Sequence, residues 1–169
     1  MSFNVESFDN YDIVLISGLP ASGKSYFAKE HFEKTKRKRI NRSEIRKLMF
    51  EMTNFAKKWD ESYYNENDEV LTKHIERKIL EHLAHYNNKI LIDNTSVTKQ
   101  SRKGYLEIAK FNNKSIAVIF INTPVKKCIE RNRQREDKKP EFIISQLYSK
   151  IELPDKREGF NDVIIINET

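Results

Sequence analysis

The sequence predicts an α/β fold, a parallel sheet with helices on both faces. Three observations carry this: short continuous apolar runs, longer segments of helical periodicity between them, and two of the four glycines in one eight-residue stretch. The runs Ile13-Val14-Leu15-Ile16, Lys89-Ile90-Leu91-Ile92, Ile116 to Ile121 and Val163 to Ile166 do not alternate with polar residues, which suits strands buried on both faces. Arg39-Ile40-Asn41 is a shorter fifth candidate. Leu71, Ile75, Ile79, Leu83 and Tyr86 recur at helical spacing and predict a long helix with that stripe inward. Thr123-Pro124 supplies an N-cap and a first-turn proline for a helix expected to run through Arg135. Strand then helix, repeated, implies right-handed crossovers. Residues 53–66, TNFAKKWDESYYNE, break the rhythm and read as an irregular insertion between two helices. Its Trp59, Tyr63 and Tyr64 are expected to pack locally rather than stack on bases.

Composition bounds the class. A chain of 169 residues without a Pro/Gly/Ser-rich linker predicts a single domain, 1–169. Its first ten residues, MSFNVESFDN, are acidic, lack the apolar core of a signal peptide, and are expected to be disordered or loosely packed. No apolar run approaches the roughly 20 residues needed to cross a bilayer, so a soluble, cytoplasmic protein with no membrane partner is expected. One cysteine, Cys128, excludes an intrachain disulfide and a cysteine-cluster metal site, and reads as a small buried hydrophobe. The net charge of +6 is compatible with a polyanionic partner. The run KTKRKR, 34–39, reads equally as a nucleic-acid patch or as a solvated turn into a strand. His74, His82 and His85 lie along the long helix without metal-ligand spacing.

The chemistry begins at GLPASGKS, Gly18 to Ser25, which fits G-x-x-x-x-G-K-[ST] between the apolar run IVLIS and the helical segment YFAKEHF. The glycines let backbone wrap closely, so successive N–H groups and a helix N-terminus point at one anion. Gly18, Leu19, Pro20, Ala21, Ser22, Gly23, Lys24, Ser25 and Tyr26 are thus the expected nucleoside-triphosphate contacts. Lys24 is expected to reach the β- and γ-phosphates, and the Ser25 hydroxyl to ligate Mg²⁺. A second metal-side group is Asp93, ending the run KILI where an open α/β sheet places its ligands. Arg131, Arg133 and Arg135 follow in IERNRQRED. Arg131 and Arg135, four apart, are expected to share a helix face as a lid over the phosphates.

Together GLPASGKS, INRSEIR at 40–46, IDNTSVTKQSR at 92–102, RNRQR at 131–135 and LPDKREGF at 153–160 resemble the P-loop kinase module of polynucleotide 5′-kinases, within the zeta-toxin-like kinases. The resemblance runs from about Ile13 to Ile166. It implies a P-loop NTPase-type sheet with a helical lid, and transfer of the ATP γ-phosphate to a hydroxyl, typically a polynucleotide 5′-OH. It also implies that Lys24, Arg46 and Arg135 carry catalysis, and that Ser43, Arg46, Asn94 and Arg102 belong to the acceptor side. The chain departs from the family at one point. Where the family has R-D-x-x-R or S-D-x-x-R, with the Asp taking the proton of the attacking hydroxyl, this sequence has Ser43 followed by Glu44. Serine is a poor base at neutral pH, so Glu44 is the remaining candidate. A kinase of a small-metabolite hydroxyl and an ATP-binding module without transfer stay open as alternatives.

Overall fold

The computed structural model describes residues 5–168. Its strands are β1 (Ile13–Gly18), β2 (Lys38–Ile40), β3 (Ile90–Asp93), β4 (Ile116–Asn122) and β5 (Asp162–Asn167). They form one sheet in the order β2-β3-β1-β4-β5, every neighbouring pair parallel. The helices are α1 (Lys24–Phe32), α2 (Arg42–Thr53), α3 (Glu66–His85), α4 (Lys99–Phe111), α5 (Val125–Arg133) and α6 (Glu141–Ser149). The apolar runs became strands because both faces of the sheet are covered. Ile13, Leu15, Ile90, Ile92, Ile116 and Val118 pack against α3 and α4, while Val14, Ile16, Leu91, Ala117 and Ile119 pack against Ala28 and Phe32 of α1. Alternate residues of one strand therefore serve opposite layers. A third cluster joins Leu19 and Phe120 to Cys128 of α5 and Ile144 of α6, with the cysteine wholly buried as expected.

The edge strand β5 departs from the expectation of burial on both faces. It pairs only with β4, and none of its residues is fully buried: Ile165 and Asn167 are exposed and the rest half-buried. The helix stripe is also corrected. In α3 the buried residues are Glu69, Thr72, Glu76, Leu80 and Ala84, whereas Leu71, Ile79 and Tyr86 are exposed. The buried row is offset by one residue, a rotation of about 100°. The reason is electrostatic: α2 packs on α3 and its arginines draw two carboxylates inward.

Two local expectations change as well. Thr123 does not cap α5: its hydroxyl donates to Ser22 O at 2.9 Å, and the helix ends at Arg133. The segment expected to be disordered or loosely packed meets the core where it is described. Phe8 is buried in the core, and the Arg37 guanidinium donates to the carbonyls of Phe8, Tyr11, Asp12 and Ile90. Residues 1–4 lie outside the described residues. The insertion is irregular apart from one 3-10 turn at Glu61–Tyr63, and Trp59 and Tyr63 pack on Phe50 with ring centroids 5.2 and 4.8 Å away. Among the described residues no helix is long and apolar enough to cross a membrane.

Candidate active site

The loop between β1 and α1 wraps at the carboxyl edge of the central strand. Gly18 has φ 149°, and a Cβ there would lie 2.6 Å from Ile121 O, so only glycine fits. Gly23, at φ 94°, is the left-handed residue that turns the chain into α1. The loop is pinned by Gly18 N donating to Thr95 O and by the Thr123 hydroxyl on Ser22 O. Lys24 is buried, with Nζ donating to Leu19 O at 2.6 Å. Burial pushes its pKa down to about 8, opposed by nearby Asp93 and reinforced by Arg135. Ser25 and Tyr26 occupy the exposed start of α1.

Asp93 ends β3 and is fully buried; β3 is the direct neighbour of β1, with Asp93 in register with Ile16. Its Oδ2 accepts from Arg39 Nη2 at 2.6 Å, Arg39 Nε at 3.1 Å and Asn41 Nδ2 at 3.2 Å. Its Oδ1 is buried with no hydrogen-bond partner, as is Ser22 Oγ in the loop. A buried, unpartnered carboxylate oxygen is costly unless a cation or its water takes it. The residues present thus fit a divalent ion.

Arg39 is the residue the sequence reading missed here. Its Nη1 donates to both Glu44 oxygens, at 2.9 and 3.0 Å, so one guanidinium joins Glu44 to Asp93. The available signal was strand pairing, which sets β2 beside β3 and hence the end of the basic run beside the strand that ends in Asp93. The KTKRKR run is therefore partly internal: Arg37 pins the N-terminal segment and Arg39 belongs to the site. Ser43 is half-buried on the first turn of α2.

The arginines after β4 are arranged differently from expectation. A Cβ on Gly23 would lie 3.8 Å from Arg131 Nη1, which puts that guanidinium beside the loop. Glu168 holds it through two bonds of 2.8 and 2.5 Å. Arg135 does not share its helix face, because α5 has already ended. It pairs instead with Asp137 at 2.8 and 2.9 Å. Asp137 also accepts from Lys47 of α2 at 2.8 Å; although burial opposes it, these two cations hold the Asp137 carboxyl well below the usual carboxylate range. Arg133 pairs with Glu141.

Three acceptor-side expectations are corrected or qualified by burial. Asn94 spends its amide internally: Nδ2 donates to Glu76 Oε1 and, at 2.8 Å, to Tyr105 OH, while Oδ1 accepts from Arg42 N. In the same network Arg42 Nε bonds Glu76 Oε2 at 2.7 Å, and burial pushes the Tyr105 phenol up to about 12. Arg102 is wholly buried, bidentate to Glu158 at 2.8 and 2.7 Å, so no acceptor reaches it. Arg46 is paired with Glu69 and lies 5.5 Å from the centroid of the Tyr64 ring. The sequence reading missed Glu69 and Glu76, since a carboxylate on a helix reads as solvent-facing.

A glycine loop at the carboxyl edge of a parallel sheet, a carboxylate ending the adjacent strand and arginines from the following helical segment define the P-loop kinase fold. Residues 13–152 match the AAA_33 family, described as an AAA domain, and the chain belongs to that family. Among curated proteins it is 24% identical over 150 residues to the L-seryl-tRNA(Sec) kinase of Methanococcus maripaludis, across 84% of this chain and 53% of that protein. The chain thus spans about half the length of that relative. Its fold is shared with the Pnkp1/Rnl/Hen1 RNA repair complex (TM-score 0.65, 18% identity, 82% of this chain and 43% of that one). It is shared too with a gluconokinase from Sinorhizobium meliloti (TM-score 0.60, 16% identity, 91% and 81% covered).

Proposed function

We propose that this chain is an ATP-dependent kinase that moves the γ-phosphoryl group to a hydroxyl borne by a polynucleotide, with a 5′-hydroxyl end as acceptor. The observation that carries the reading is the convergence of Lys24, the unpartnered Asp93 oxygen and the Arg131 guanidinium around one wrapped loop. Phosphoryl transfer asks for positioning and charge neutralisation more than for covalent chemistry. Backbone N–H groups of the loop and the N-terminus of α1 receive the phosphates. Lys24 exchanges Leu19 O for the β- and γ-phosphates, whose negative charge favours its protonated form. Ser25 and Asp93 are the residues that would hold Mg²⁺, which when bound neutralises phosphate charge.

Arg131 lies against the loop and Arg135 acts on Lys24 through its field, so both serve the developing charge. Glu44 takes the proton of the attacking hydroxyl. Arg39 holds its carboxylate in one network with Asp93, which compensates for the serine at position 43. The tRNA in the name of the curated relative and the RNA repair complex among structural neighbours support a nucleic-acid acceptor. The gluconokinase neighbour supports a small hydroxyl as the second reading. Incubation with γ-labelled ATP and a panel of 5′-OH RNA, 5′-OH DNA, aminoacylated tRNA and sugars tests this. Label in a 5′ end is expected; label only in sugars, or tight ATP binding with no transfer at all, overturns it.

A further inference from the structure

Away from the phosphate loop, a groove of about 700 Å³ runs along α4. Its apolar lining is the partly buried Leu106, over the core residues Ala109 and Ile116. Its lysines, Lys99, Lys103, Lys110 and Lys114, stand four, seven and four residues apart, beginning at the first residue of α4. Acidic residues offset them in part, Asp155 acting on Lys99 through its field. Glu158 is committed to the buried Arg102, and Glu107 faces Lys103 at 3.8 Å. Lys99 and Lys110 make no salt bridge among the described residues, and Lys114 donates to the neutral Asn87. Beside Lys110, Phe111 is 88% exposed. It lines a second hollow, of about 390 Å³, together with His85, whose ring lies 5.0 Å from the exposed Tyr86.

We propose that this groove binds a single-stranded phosphodiester chain, with phosphates on the lysines and Phe111, in the second hollow next to Lys110, as a stacking platform for a base. A flat anionic membrane would not use a concave floor, and an acidic peptide would not use aromatic faces. A positively charged track with aromatic side chains is the combination that takes single strands without reading sequence. The 13 residues of α4 span about 20 Å, which a stacked strand advancing about 3.4 Å per nucleotide covers in about six nucleotides. Because α4 starts five residues after Asn94, the track ends near the carboxyl edge of the sheet. The inference goes beyond the kinase reading, since strand binding is measured without ATP and does not require transfer.

Fluorescence anisotropy with a labelled, 5′-phosphorylated single strand of about 12 nucleotides, roughly twice the groove's span, tests it in RNA and DNA arms. Binding of either strand is expected, with a log K against log salt slope of about −2 to −3 for three or four neutralised phosphates. The double variant Lys103→Glu/Lys110→Glu is expected to lose at least about tenfold in affinity, and Phe111→Ala about five- to a hundredfold. Both should keep the wild-type melting temperature and ATP affinity. Wild-type strand affinity in the double variant, a slope near zero, or competition by polyglutamate as strong as by RNA overturns the proposal.

Discussion

Arg46 of α2 donates from Nε and Nη2 to Glu69 Oε2 of α3, at 2.8 and 2.6 Å, with 11% and 7% of the two side chains exposed. The pair ties together the two helices that flank the insertion. Removing one member of a buried pair strands the other charge, at about 3 to 5 kcal/mol. Arg46→Met should therefore lower the melting temperature by roughly 10 °C. Arg46→Met/Glu69→Leu should recover most of that loss in thermal unfolding. A variant with unchanged melting and only a raised acceptor KM would instead assign Arg46 to the acceptor.

Lys24 carries opposite consequences for stability and activity. Its pKa in the fold, about 8, lies below the ordinary 10.5, so between these values the unfolded chain binds more protons. The wild type therefore loses stability as pH falls from 10.5 to 8, and stays at that lower level beneath it. Lys24→Met removes the burden: in the absence of nucleotide it should melt several degrees higher at pH 7, with the gap closing as pH rises through 8 towards 10.5. The same variant should lose labelled-phosphate transfer. Equal melting at pH 7 would show that the ammonium is not desolvated.

The strands and the loop were legible in the sequence because both rest on local rules. Continuous Ile, Leu and Val runs have one good use in a parallel sheet, and the spacing of Gly18, Gly23 and Lys24 is itself the loop. The buried face of α3 was not legible, because it contains Glu69 and Glu76, which become interior only when Arg46 and Arg42 arrive from another helix. Arg39 was hidden for a related reason: its partners lie 54 and five residues away, and only the pairing of β2 with β3 brings them together. Motif matching drew Asn94 and Arg102 towards the acceptor, while burial commits them to Glu76 and Glu158. The end of α5 before Arg135 likewise depends on tertiary anchoring, where Lys47 and Arg135 share Asp137.

That anchoring gives a prediction for the segment after α5. Arg135 presents a planar fork to Asp137, and a lysine would supply charge without that geometry. Arg135→Lys should lower kcat by at least about tenfold, with a smaller change in ATP affinity. Asp137→Asn, which frees both cations, should loosen the segment, read as faster amide exchange over residues 134–140. Wild-type turnover in the lysine variant would remove Arg135 from the reaction.

The remaining question is which group receives the proton of the attacking hydroxyl. Glu44 is exposed at the start of α2, yet Arg39 holds both its oxygens while gripping Asp93. If Glu44 is the base, Glu44→Gln keeps the size and a hydrogen-bonding group but cannot accept the proton, so kcat should fall about 10²- to 10⁴-fold with ATP affinity intact. Arg39→Gln should show a milder loss with a displaced pH–rate profile, because it releases the carboxylate rather than removing it. Ser43→Asp in the Glu44→Gln background should restore up to about 10²-fold, since it returns a carboxylate to the position where the resembling kinases carry one. Single-turnover rates across this set decide the matter. Full activity in Glu44→Gln would mean that positioning and charge neutralisation suffice, and that no carboxylate base operates at this site.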